Sequence, residues 1–86
     1  MSMETQQGSN ARSLSQAPTG VPMRIVQVAS DVPGRRRLLD LGFVPGTVIR
    51  RVLQSPMGDP VAYELRGTVI AIRRGQADGI EVEPCS

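Results

Sequence analysis

The chain has 86 residues, a formal net charge of +2, and 40% hydrophobic and 21% charged residues, which is the make-up of a globular protein with room for one domain and a modest core. It contains no histidine and a single cysteine, Cys85, which excludes imidazole acid–base chemistry, an intramolecular disulfide and any His-containing zinc site. All ten basic residues are arginine; arginine suits forked contacts to carboxylates, phosphates and carbonyls, although a coding bias gives the same pattern.

No apolar run approaches the ~20 residues of a membrane span. Residues 1–20 lack the apolar centre of a signal peptide, so the expected location is the cytoplasm, with no insertion into the membrane. Residues 1–13 are polar and without periodicity, and are expected to form a mobile tail. The domain is expected over 14–84, with 85–86 as the C-terminal end.

Pro18-Thr19-Gly20 signals a turn, followed by a first strand at Met23–Val28. Ser30–Gly34 connects it to a helix, with Pro33 suited to the first helical turn and Ser30 or Asp31 to capping. The helix spans Arg35 to Gly42. Its spacing places Leu38, Leu39 and Leu41 on one face and Arg36, Arg37 and Asp40 on the other. Arg35 leans to the leucine side, where a backbone carbonyl would hold it. Gly42 fits a left-handed C-terminal cap, and Pro45-Gly46 fits the centre of a type II turn.

Thr47–Gln54 reads as a strand of ambiguous phase: Val48 and Val52 share one face, Ile49 and Leu53 the other, and Arg50 and Arg51 interrupt both. One arginine must face the core side unless a bulge resets the alternation. Ser55–Pro60 is a loop joining two strands of a hairpin. Val61–Arg66 alternates cleanly, with Val61, Tyr63 and Leu65 inward and Ala62, Glu64 and Arg66 outward. Gly67 allows a tight turn into Thr68–Arg74, which is apolar on both faces and reads as a central strand. Gly75–Gly79 is read as a turn, with room for one 3₁₀ turn but not a regular helix, since two glycines cost about 1 kcal/mol each inside a helix. Ile80–Glu83 closes the domain with Ile80 and Val82 inward. The sum is a mainly β fold, a small barrel of about five strands with one short helix between the first and second.

The ordered landmarks Arg-Arg-Arg-Leu-Leu-Asp-Leu-Gly-Phe-Val-Pro-Gly-Thr, Ser-Pro-Met-Gly-Asp-Pro, Arg-Gly-Thr-Val-Ile-Ala-Ile-Arg-Arg and Ile-Glu-Val-Glu resemble the ferrous iron transport protein A (FeoA) family. Domains of the same type end iron-dependent repressors of the diphtheria toxin repressor type. The resemblance implies an SH3-like barrel and an accessory role in ferrous iron uptake. The implied partner is FeoB, the membrane transporter with a GTP-binding domain, which this protein would bind and regulate through surface contacts.

The residues offer no nucleophile–base pair and no phosphate-cradling loop, so no enzyme is expected. One Tyr, one Phe and no Trp exclude the aromatic groove that reads proline-rich peptides. The same scarcity, with the low net charge, argues against nucleic acid as a partner. Arg36 and Arg37 lie at the electrostatically unfavourable end of the helix, which marks them as candidate partner contacts, with Phe43, Met57 and Asp59 beside them. No cofactor is required by this reading. The first alternative is a metal-responsive homodimer holding iron or zinc between chains at Glu81, Glu83 and Cys85, spaced two residues apart on the last strand; the second, ranked below it, is a small nucleic-acid-binding barrel that uses the arginines.

Overall fold

The computed structural model describes residues 11–85; the tail expected over residues 1–13 lies, for its first ten residues, outside them. Six strands form one sheet: β1 Arg12–Ser13, β2 Met23–Val28, β3 Val48–Gln54, β4 Val61–Leu65, β5 Thr68–Ile72 and β6 Ile80–Pro84, in the order β1-β6-β2-β3-β4-β5. Neighbouring strands are antiparallel throughout. Helix α1 (Arg35–Leu41) joins β2 to β3, α2 (Arg74–Ala77) joins β5 to β6, and a 3₁₀ turn covers Leu14–Gln16.

The alternation of β4 and β6 sends Val61, Tyr63, Leu65, Ile80 and Val82 inside, as their period-2 patterns require. In β2 the register against β6 shifts between Ile25 and Gln27, so Val28 rather than Gln27 follows Met23 and Ile25 into the core. β3 carries a second shift between Arg51 and Leu53. Ile49 is buried and Arg51 follows it half-buried on the same side, where its Nη2 donates to the Ser15 carbonyl at 3.0 Å. Beyond the bulge Leu53 turns outward and is 66% exposed. Both resolutions of the arginine conflict therefore occur in one strand.

Four readings are corrected. Arg12 and Ser13 are not tail residues but a strand paired with Val82 and Glu81, which adds one strand to the expected five. β5 is an edge strand rather than a central one, and Val69 is 60% exposed; an apolar pair of faces does not by itself show that both are covered. Helix α1 begins after Pro33, with Gly34 at φ 69° as its N-cap and no side-chain cap from Ser30 or Asp31. Gly75-Gln76-Ala77 is helical. Gln76 Oε1 accepts from the Arg73 N–H at 3.0 Å, Gln76 Nε2 donates to the Pro33 carbonyl at 2.9 Å, and Ala77 is fully buried. That local cap, the bond to Pro33 and the burial of Ala77 together outweigh the glycine penalty.

The segment before β2 closes one end of the sheet. Leu14 and Ala17 are buried, the Tyr63 hydroxyl reaches the Leu14 carbonyl at 3.5 Å, and Ser13 Oγ donates to the Asp78 carbonyl at 3.0 Å. Close by, Gly79 must remain without a side chain: a Cβ there would stand 2.3 Å from Val32 Cγ2, while its carbonyl accepts from Ala29 N–H at 2.9 Å. Gly79→Ala is expected to cost about 1–3 kcal/mol in chemical denaturation, and Val32→Ala in the same chain is expected to recover part of it.

Burial raises the Tyr63 pKa above the ordinary 10.0, and nearby Arg51 and Arg74 offset part of that rise. The fold thus favours the neutral phenol. Its contribution is complete below the unfolded-state value and is lost as pH rises through the higher folded-state one. Denaturation midpoints are expected to fall above pH 10.0 in the native chain. In Tyr63→Phe, this phenol's share of that alkaline fall should disappear.

Candidate functional site

Helix α1 is held by few groups, and what they leave over defines a surface. Gly42, at φ 112°, ends the helix; its N–H donates to the carbonyls of Leu38 and Leu39, and the Phe43 N–H donates to the Leu38 carbonyl at 3.0 Å. This turn drives Phe43 inside, where it is fully buried beside the core that also takes Leu38. At the other end Arg35 Nε donates to the Val28 carbonyl at 3.3 Å, the carbonyl contact expected of it. Leu39 packs only partly against the core, and Leu41 is 39% exposed. The buried face is therefore narrower than the three leucines suggest, because the chain leaves the helix inward at Phe43.

Arg36, Arg37 and Asp40 face solvent. Among the described residues neither arginine pairs with Asp40, so nothing local offsets two cations near a helix N-terminus. The β4–β5 turn adds a third cation at the opposite end. Arg66 sits at φ 53° and Gly67 at φ 78°, the two left-handed positions of a type I′ turn, where a non-glycine residue costs about 1–2 kcal/mol. The Arg66 side chain lies along Gly42: a Cβ on Gly42 would be 3.0 Å from Arg66 Cδ and 3.6 Å from Nη1. A guanidinium at a helix C-terminus is favourable. Arg66 also lines, with Pro22, Val48, Arg50 and Glu64, an open groove of about 280 Å³. Inside it Arg50 pairs with Glu64.

The predicted partner residues separate. Arg36 and Arg37 are on the surface as expected. Phe43 is a core residue, and this corrects its place in a surface spot with Met57: the C-cap geometry of Gly42 turns it inward. Met57 is 90% exposed in the loop between β3 and β4. Asp59 is exposed, and its Oδ1 accepts from the Arg74 N–H at 2.9 Å, so it holds the first turn of α2. Glu81 accepts from Gln27 Nε2 at 2.9 Å, Glu83 pairs with Arg24 at 3.4 Å, and Cys85 is half-buried just past β6. Among the described residues no three His, Cys, Asp or Glu side chains are grouped to hold a metal ion. No helix among them is long and apolar enough to cross a membrane.

Sequence reading missed Leu41 and Val48 as surface features; it placed Arg66 outward, as found, but not beside Gly42. Arg66 had a usable signal, since Arg-Gly between two alternating runs forms a two-residue hairpin turn. Leu41 and Val48 had none, because their exposure depends on the inward exit at Phe43 and on the β3 register.

A family model, the FeoA domain, matches residues 12–84. A Fe(2+) transport protein A/Fe(2+) transporter FeoB fusion protein of Porphyromonas gingivalis is 40% identical over 70 residues, 81% of this chain. The match spans 8% of the length of that relative. The solution structure of the FeoA protein of Chlorobium tepidum is 34% identical with a TM-score of 0.79, over 86% of this chain and 70% of that one. A zinc complex of FeoA from Stenotrophomonas maltophilia, described as a prokaryotic SH3 domain protein, is 29% identical with a TM-score of 0.71, over 83% of this chain and 88% of that one. The SH3-like architecture expected from the sequence is met.

Because its carboxylate satisfies a helix amide, Asp59→Ala is expected to lower stability by about 1 kcal/mol. Asp59→Asn, which keeps an accepting oxygen, should retain most of it. Thermal denaturation of both variants measures the difference.

Proposed function

The chain belongs to the FeoA domain family, a family of ferrous iron transport, and we propose that it is a cytoplasmic accessory of the membrane ferrous iron transporter FeoB, binding and regulating that GTP-binding transporter through surface contact rather than chemistry. The observation that carries this reading is the Porphyromonas gingivalis relative, in which transport protein A and FeoB are one polypeptide. Covalent fusion keeps two domains at high effective concentration, which is useful when their contact serves one process.

The contact surface is assigned to α1. Arg36 and Arg37 are exposed, unpaired among the described residues, and unfavourable to their own helix. Leu41 follows Arg37 by four residues and is exposed on the same side, and Arg66 continues the cationic surface past Gly42. An apolar residue rimmed by arginines suits an acidic protein surface. Met57, exposed in the loop between β3 and β4, is a separate adaptable apolar contact outside α1.

A second reading is favoured by the zinc bound to the Stenotrophomonas maltophilia relative: a metal-bridged homodimer through Glu81, Glu83 and Cys85 of two chains. Sizing the protein with and without zinc or ferrous iron, beside Cys85→Ser, tests it; a metal-independent monomer in every sample removes it.

For the main reading, the double variant Arg36→Glu/Arg37→Glu is expected to lose binding to the purified transporter by at least about tenfold, equivalent to 1.4 kcal/mol. Its thermal midpoint should stay within a few degrees of the parent, because neither side chain reaches the core. Equal binding by the folded variant removes α1 as the interface.

A further inference from the structure

Strand β5 has a neighbour on one side only. It pairs with β4 through Val61–Ile72, Ala62–Ala71, Tyr63–Ile70, Glu64–Val69 and Leu65–Thr68, and it ends the sheet. Among the described residues no other backbone group bonds to it. The two-residue turn at Arg66-Gly67 sets the phase of the ladder: Leu65 and Thr68 exchange hydrogen bonds, as do Tyr63 with Ile70 and Val61 with Ile72. The N–H and C=O groups of Val69 and Ala71 therefore point away from the sheet. Their side chains share the outer face, opposite the buried row of Tyr63 and Leu65, and both residues are exposed.

Natural sheets blunt such an edge with charges inside it, proline or a bulge. β5 has none of these: its five residues are Thr-Val-Ile-Ala-Ile and its pairing is regular. Charge appears only at its ends, as Arg66 before it and Arg73 and Arg74 after it, all exposed. No acidic residue occurs between Arg66 and Arg74. Of the carboxylates nearest in the sheet, Glu64 is paired with Arg50 and Asp59 is engaged by the Arg74 amide.

We propose that the β5 edge is a docking site for an extended acidic peptide segment, which adds to the sheet as a further antiparallel or parallel strand. Its main chain bonds to Val69 and Ala71, small or β-branched side chains lie beside theirs, and carboxylates at its ends meet Arg66 and Arg73. A second copy of this chain is a poorer occupant. The two-fold pairing that uses both Val69 and Ala71 is centred on Ile70, and it sets the Arg66 end of one copy against the Arg73–Arg74 end of the other. Like charges then face each other at both ends. The proposal does not depend on the transporter being the partner.

The test uses the full-length chain, isotopically labelled, with the blocked peptide acetyl-Glu-Glu-Thr-Val-Thr-Val-Thr-Glu-amide at millimolar concentration and a control with lysine in place of every glutamate. The acidic peptide is expected to slow amide exchange at Val69 and Ala71 by about tenfold or more, with an affinity that falls as salt is raised. Ala71→Pro, which removes an outward N–H without breaking a ladder bond, should abolish binding; Arg73→Glu should weaken it about tenfold while leaving the edge intact. Unchanged exchange at both amides, or equal binding of the lysine control, overturns the proposal. So does a peptide-free dimer in which Val69 and Ala71 are already protected, which assigns the edge to a second copy.

Discussion

No charged side chain is buried among the described residues, and the small chain, with one cysteine, has no disulfide of its own to brace it. The apolar interior must therefore be sealed by the chain that surrounds it. Two arginines do part of this. Arg35 reaches back to the Val28 carbonyl and fixes α1 against the end of β2. Arg51 reaches the Ser15 carbonyl and fixes the 3₁₀ turn over Tyr63. A carbonyl bound by a guanidinium is satisfied where the chain closes over the core, by Arg35 from the exposed side and by Arg51 from a half-buried position beside Ile49. Arg24 and Arg50 instead pair with Glu83 and Glu64 on neighbouring strands, where exposed pairs contribute little beyond register.

The same economy shapes the turn before β6. Asp78 accepts from Ser13 and Ser15, Gln76 links Arg73 to Pro33, and Gly79, lacking a side chain, lets the turn after α2 pack directly on Val32. A four-residue helix with a glycine in it has no stability of its own. It exists because the Asp59 and Pro33 loops are bonded to it and Ser13 and Ser15 hold its C-cap residue, Asp78. This is also why the region around β1, the start of α1 and α2 behaves as one seal over the core rather than as independent connections.

That dependence marks the limit of what the sequence makes legible. β4 and β6 could be read residue by residue, because strict alternation maps directly onto one buried face. Gly42 and Pro45-Gly46 could be read because only certain backbones accept those residues there. Phe43, Leu41 and α2 could not: each is decided by where a distant element sits, Phe43 by the inward exit from α1 and α2 by Pro33 and Asp59. β5 was misplaced because its neighbour count is a property of the whole sheet order. In the candidate site, Arg36 and Arg37 were legible as cations at odds with their helix, whereas Arg66 joined them only through the packing of a hairpin turn on Gly42.

The arginines thus divide into those with intramolecular tasks and those without, and the account of function rests on that division. It is tested most directly by following the side-chain Nε–H signals of all ten arginines by NMR while the purified transporter is added. The account predicts that the signals of Arg36 and Arg37 shift or broaden first, while those of Arg35 and Arg51 stay in place. Perturbation confined to Arg35, Arg51 or the β-sheet pairs, with Arg36 and Arg37 unmoved, would contradict it.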